Sequence, residues 1–285
     1  MPTQETRDEP VCPPAQRLSV TVVIPCYRCR STIERALSSV ANQTHLPAEV
    51  LLVDDCSGDG TLEKLYELQR SHECGWIKII ALPRNVGPAR ARNRGWDSAK
   101  GEFVAFLDAD DSWHPQKLQL QWNCMQAHQE TMLCGHAVAR ASSAPNPDIG
   151  GFTTRPISST RMLFKNPIAP TSAMVRTSLE LRFRDGHRHM EDHLLWMEIA
   201  LGGHAVTRMD ACLAYQYKAP FGEGGLSAQL WSMELADLRN YLLLQQSGNL
   251  RSFWLLVLWP WSLLKFSRRL LIAAFPALLS RQKSA

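Results

Sequence analysis

No run in the 285-residue sequence reaches the roughly 18–20 consecutive apolar residues that a membrane-spanning helix needs, so no segment reads as a span. The first residues, MPTQETRDEPVCPPAQR, carry charges and prolines where a secretory leader needs an apolar stretch. Eight cysteines are too few for a disulfide scaffold in a chain this long, and a reducing, cytosolic setting is expected. Charge of one sign is also lacking: the formal net charge is +4, with no basic arm or long basic run, so nucleic acid is not an expected partner. No G-x-G-x-x-G follows the first strand and no Walker A sequence occurs, which removes the usual support for dinucleotide binding and P-loop chemistry. Internal repeats are absent. Cys26 and Cys29 form a CxxC that reads as a redox pair or half a zinc site, yet no second CxxC or nearby His pair completes a metal set.

What is present is an alternation of buried strands and helices. A β-branched run, Leu18 to Ile24, stops at Pro25; a helical stretch spans Thr32 to Asn42; Val50 to Val53 is apolar and ends in acids. A helix after Gly60, a strand Trp76 to Leu82, a helix Gly87 to Ala99 and a strand Phe103 to Leu107 follow. Continuous apolar strands between helices imply an α/β fold with a mostly parallel sheet covered on both faces. Such sheets bind ligands beyond the carboxyl ends of their strands. Pro25-Cys26-Tyr27, Asp54-Asp55 and Asp108-Ala109-Asp110-Asp111 all fall there. Three units are expected: a flexible tail over 1–17, a catalytic domain over 18–225, and a helical C-terminal region over 226–285.

Acids crowded at one sheet edge repel unless a cation or a hydrogen-bonding ligand offsets them. Mg²⁺ or Mn²⁺ is the simplest answer, since it takes carboxylate oxygens together with substrate phosphates. Asp111 and Ser112 are assigned instead to capping the next helix, with Pro115 in its first turn.

Three stretches together resemble glycosyltransferase family 2 with the GT-A fold: SVTVVIPCYRCRSTIERALSSVANQT, LLVDDCSGDGT, and NVGPARARNRGWDSAKGEFVAFLDADDSW with its D-x-D. The resemblance covers about Leu18 to Leu118, with a weaker match near Met190 to Trp196. It implies an inverting transfer of sugar from a nucleotide diphosphate donor, UDP-linked by expectation, to a hydroxyl of a saccharide or lipid-linked saccharide. It places Pro25, Tyr27 and Glu34 near the base and has Asp55 hydrogen-bond it. Asp108 then faces the ribose or phosphates, and Asp110 ligates the metal. Packing of Tyr27 in its loop and solvation of Glu34 on a helix are the structural alternatives. Arg28 stands where the family often has Asn, and Cys56 where Gly is common.

The segment HRHMEDHLLWMEIAL resembles the family's E-D motif, with Glu191 beside Asp192 as the general base; a helix N-terminus favours acids in any case. The His that relatives often carry after the last strand is missing from AYQYKAPFGEGGLS, where Lys218 offers positive charge to the phosphates. A sugar nucleotidyltransferase would need a Gly-rich basic loop after the first strand, and a non-catalytic binding protein of the same fold would not need the acids. Near the C-terminus FWLLVLWPWSLL, its tryptophans, and Lys265, Arg268 and Arg269 at helical spacing read as a segment lying on an anionic membrane surface, peripheral at the inner face, or as helices packed on the domain.

Overall fold

The computed structural model describes residues 17–72, 75–141, 149–187, 189–217 and 230–282. Its first half follows the expected order: β1 (Leu18–Cys26), α1 (Ile33–Ala41), β2 (Pro47–Asp54), α2 (Thr61–Ser71), β3 (Ile77–Ala81), α3 (Pro88–Asp97) and β4 (Phe103–Phe106). These strands pair in parallel in the order β3-β2-β1-β4. Beyond β4 the sheet becomes mixed. It continues through β8 (Met174–Arg176), β6 (Thr131–Arg140), β9 (Ala205–Gln216) and β5 (Asp111–Trp113), with β7 (Thr154–Pro156) also on β9. β8 is antiparallel to both β4 and β6, so the parallel character expected from the sequence belongs to the first four strands.

Strand alternation divides the core in two. Val20, Val22 and Ile24 of β1, Val50 and Leu52 of β2, and Phe103 and Ala105 of β4 face the layer of α1, α2 and α4 (Lys117–Ala127). Val23, Leu51, Val53, Val104 and Phe106 face the other layer. There they meet α3, α5 (Ser159–Phe164), α6 (Glu191–Leu201) and the C-terminal helices α7 (Leu230–Gln246) and α8 (Leu255–Gln282). α3 lies directly on β1 because residue 95 is glycine: a Cβ there would stand 2.4 Å from Val23 Cγ1. That contact fixes the height of α3 above the strand ends.

The C-terminal helices are packed against the domain, sharing its second core through Tyr241, Leu244, Leu250 and Leu258. Trp261 Nε1 donates to the Phe164 carbonyl at 2.9 Å, and Phe164 meets the rings of Trp254 and Trp261 edge-on. Polarity is inverted along part of the pair. Glu234, Asp237, Asn240 and Ser262 are buried, while Trp231, Leu235, Leu256, Val257, Trp259, Leu263 and Leu264 are exposed. Lys265 turns inward, its Nζ 3.5 Å from the buried Asp237 carboxylate, and Arg269 is half-buried. Only Arg268 of the three expected surface cations is exposed, so they do not form one solvent-facing stripe. No described helix is long and apolar enough to cross a membrane.

Asp111 and Ser112 do not cap the next helix. They form β5, whose Asp111 pairs with Gln216 of β9, and α4 begins only at Lys117 behind Gln116, with no side-chain cap. The free edge of β9 captures this segment before the helix can start.

Candidate active site

The register of the parallel strands sets the site. Pro25 lies opposite Val53 and Cys26 opposite Asp54, while Leu107 N donates to the Val23 carbonyl at 3.1 Å. The polar residues after β1, β2 and β4 therefore emerge at one edge.

After β1, Tyr27 is 47% exposed, with the Arg28 guanidinium 5.3 Å from its ring centre. Arg28 N donates to Ser57 Oγ at 3.1 Å, and Ser57 Oγ donates to Asp54 Oδ1 at 2.6 Å. Arg28 (φ 49°) and Cys56 (φ 56°) both adopt the left-handed conformation. These are the two departures noted in the sequence, at places where Asn and Gly would sit with less strain. Cys26 and Cys29 are buried free thiols in the first core, and burial pushes the Cys26 thiol well up. The CxxC thus serves packing.

Turn capping after β2 falls to two of its three acids. Asp54 holds Ser57, and Asp59 Oδ1 accepts from Thr61 N at 3.1 Å to start α2. Asp55, 3% exposed, reaches across to the loop before α3, where its two oxygens accept from Val86 N at 2.7 Å and Gly87 N at 2.8 Å. Asp55 therefore shapes the loop that leads to Arg92. Glu34 stands apart from the other acids: it is exposed on α1 and pairs with Lys64 of α2 at 3.0 Å. Lys218 lies outside the described residues.

At the centre is a residue the motif reading passed over. Arg92 of α3, 5% exposed, donates to Asp108 Oδ1 at 2.7 Å and to Glu191 Oε1 at 2.9 Å. Burial opposes its charge, but Asp108 and Glu191 more than offset this and hold the guanidinium above its ordinary value. A signal was available: Arg92 shares the i, i+3, i+7 stripe of Ala89 and Trp96, both buried, and a cation on an apolar stripe demands anionic partners. Arg92 brings the D-x-D turn and the E-D helix together.

Asp192 is half-buried beside Glu191, and Asn166 Nδ2 donates to its Oδ2 at 2.7 Å. Burial and then Glu191 push its carboxyl up to about 6; His193, Asn166 and Arg92 act the other way. The enclosed start of α6 is the physical cause. Met190, left-handed at φ 54°, turns the chain into α6, and Asn240 Nδ2 of α7 holds its carbonyl at 2.9 Å.

Asp110 is half-buried, and its carbonyl accepts from Arg35 Nη2 at 2.6 Å. Arg35 lies 3.7 Å from the centre of the Tyr217 ring, whose hydroxyl is 3.0 Å from Ser112 Oγ. The end of β9 thereby braces the acidic turn. Burial, then Asp108 and Asp110, push the Asp111 carboxyl up to about 8, with Thr171 and Gln216 acting the other way.

A buried Arg joining a D-x-D turn to an E-D helix at the carboxyl edge of parallel strands can be set beside known proteins. Residues 21–180 match the model of glycosyl transferase family 2. The chain belongs to that family. This glycosyltransferase is 31% identical over 202 residues to the putative teichuronic acid biosynthesis glycosyltransferase TuaG of Bacillus subtilis strain 168, covering 68% of this chain and 77% of that one. Over 181 residues it is 32% identical to WfgD of Escherichia coli, a UDP-Glc:alpha-D-GlcNAc-diphosphoundecaprenol beta-1,3-glucosyltransferase, covering 63% and 69%. Among solved structures, S. aureus TarS 1-349 in complex with UDP-GlcNAc aligns with TM-score 0.61 at 25% identity over 78% of this chain; the match spans 66% of that one. The mannosyltransferase PcManGT of Pyrobaculum calidifontis, in complex with GDP-Man and Mn²⁺, aligns with TM-score 0.60 over 95% of this chain and 81% of its own, and at 18% identity shares the GT-A fold.

Proposed function

We propose that this glycosyltransferase moves a sugar from a UDP-linked donor to a hydroxyl of a lipid-linked saccharide in cell-surface polysaccharide synthesis, with inversion, at the inner face of the cell membrane. The observation that carries the reading is the pairing of Asp108 and Glu191 through buried Arg92, with Asp192 beside them raised to about 6. A carboxylate of that basicity is largely ionised at neutral pH and can take the acceptor proton as the new bond forms, a contribution of about 10²–10⁴ in rate. The UDP complexes of TarS and the diphosphoundecaprenol-linked acceptor of WfgD support the substrate classes.

Donor placement follows from the strand ends. Pro25 and Tyr27 border the base, and Asp55 presents the Val86–Gly87 loop to it. Asp108, aligned by Arg92, faces the ribose or phosphates. Glu34, engaged by Lys64, is the least central member of this set. The donor set suits a hard cation. Asp110 and its neighbours offer only oxygen ligands, and burial with Asp108 and Asp110 raises the Asp111 carboxyl beside them; no three His, Cys, Asp or Glu among the described residues form a cage by themselves. A metal bound through Asp110 would thus share its shell with the donor's phosphates and water, as Mg²⁺ and Mn²⁺ do. When bound, such an ion offsets charge on the departing nucleoside diphosphate. Asp192, held by Asn166, accepts the proton from an acceptor oxygen approaching the opposite face of the sugar, which gives inversion.

The helix pair α7–α8 supports docking on a lipid surface, because its exposed apolar side chains suit a low-dielectric neighbour. With Lys265 and Arg269 turned inward, burial of tryptophan and leucine outweighs attraction to anionic headgroups.

One set of measurements tests the catalytic reading. UDP affinity by calorimetry should rise with Mn²⁺ or Mg²⁺ over chelator, and Asp110→Ala should erase the difference. In a screen of nucleotide sugars, Asp192→Asn should keep UDP affinity within a few-fold while lowering transfer by about 10² or more. Equal UDP affinity in chelator removes the metal, and full turnover by Asp192→Asn places the base elsewhere.

A further inference from the structure

Behind the E-D helix lies a buried charge relay that the reaction as described does not use. His193, next to Asp192, is 1% exposed in its side chain and bridges two elements. Its Nε2 is 2.7 Å from the Met162 carbonyl of α5, and its Nδ1 is 3.2 Å from Asp237 Oδ1 of α7. A carbonyl can only accept, so Nε2 carries a hydrogen. An ionised carboxylate also only accepts, so Nδ1 must carry one too. Asp237 is wholly buried, and although burial disfavours its charge, His193, Lys265 and Arg269 outweigh that and hold its carboxyl below the ordinary value.

We propose that Asp237 is a positioning residue that holds His193 as an imidazolium, so that a fixed positive charge stands behind the Asp192 carboxylate. The base then feels the C-terminal helices electrostatically, although none of their side chains is needed at the reacting atoms. The surroundings are accounted for on every side. Asp192 is faced by Glu191 and His193 of α6, Arg92 of α3, and Asn166 after α5. Asp237 is faced by His193, by Lys265 and Arg269 of α8, and by Glu234 and Tyr241 one turn earlier and later on α7. Of the charges behind α6, His193 is adjacent to Asp192 in sequence and Asp237 lies beyond it. Neutralising both should therefore act on Asp192 as the loss of the nearer, positive one. The Asp192 carboxylate should then bind its proton more tightly.

The inference uses the reading of Asp192 as base only for its consequence, and its test needs no substrate. Ring-nitrogen NMR on the full-length protein at neutral pH, with His193 assigned through His193→Gln, should show both nitrogens protonated. Carboxyl ¹³C titration, with Asp192 assigned through Asp192→Asn, should show its midpoint rising by about half a unit to two units in Asp237→Asn. Asp237→Glu should restore the original midpoint. A neutral His193 at pH 7 in the unaltered protein overturns the proposal, and this arm stands even if Asp237→Asn fails to fold. An unmoved Asp192 midpoint in a folded Asp237→Asn overturns it equally, leaving Asp237 a packing residue. Full turnover by Asp192→Asn would sink the base assignment while leaving the His193 measurement unaffected.

Discussion

Arg92 shows how one side chain can tie distant motifs. Its carboxylate partners come from the end of β4 and the start of α6, and neither would tolerate burial beside the other without the cation. Arg92→Met should leave Glu191 buried and unpaired, a change of the kind that costs about 3–5 kcal/mol. Urea unfolding should report it, and a loss below about 1 kcal/mol would mean that Glu191 finds solvent instead. At Asp192 the sign of the pH effect follows from the direction of its shift. Because the carboxyl is raised to about 6 and the ionised form is the base, transfer should fall as pH drops through that value, well above the range of an ordinary Asp. An acidic limb near 4 would show that the enclosed setting of Asp192 is lost once substrates bind.

At the scale of elements, α8 determines whether α7 can keep its buried acids. Asp237 and Glu234 sit in the α7–α8 seam, where Lys265 and Arg269 are the compensating cations. Ending the chain after Gln246 removes those cations and uncovers the seat of Leu258. The truncated protein should therefore unfold at lower temperature, by several degrees or more in a thermal melt. It should still bind UDP, since the strand ends of β1, β2 and β4 lie outside the lost helix. A truncation as stable as the full chain would show that α7 relaxes to expose its acids.

Over the whole molecule, the apolar face of α7–α8 and the acidic strand ends have to serve one reaction. The proposed membrane reading predicts that the full-length protein binds liposomes mainly through Trp259, Leu256 and Leu264. Leu256→Glu together with Leu264→Glu should abolish flotation, whereas added salt should weaken it only slightly, because Arg268 is the one exposed cation of the expected stripe. Flotation that depends strongly on anionic lipid and vanishes in salt would restore the electrostatic reading. Failure to float at all would instead mark this face as a contact with another apolar surface.

The sequence by itself determined the alternation β1 to β4, the carboxyl-edge position of Asp55, Asp108 and Asp110, and the family, because buried strands and acidic turns are local patterns of a few residues. It also exposed Arg28 and Cys56 as departures, and both sit in left-handed backbone where Asn and Gly would be less strained. Tertiary structure alone decided the rest. Asp111 and Ser112 became a strand because β9 offered an edge from about a hundred residues away. Lys265 and Arg269 face inward because α7 presents buried acids to them, which helical spacing on α8 cannot reveal. Arg92 bridges Asp108 and Glu191, residues separated by 16 and 99 positions from it. A charge's partner is chosen by packing, and a sequence records only which residues need one.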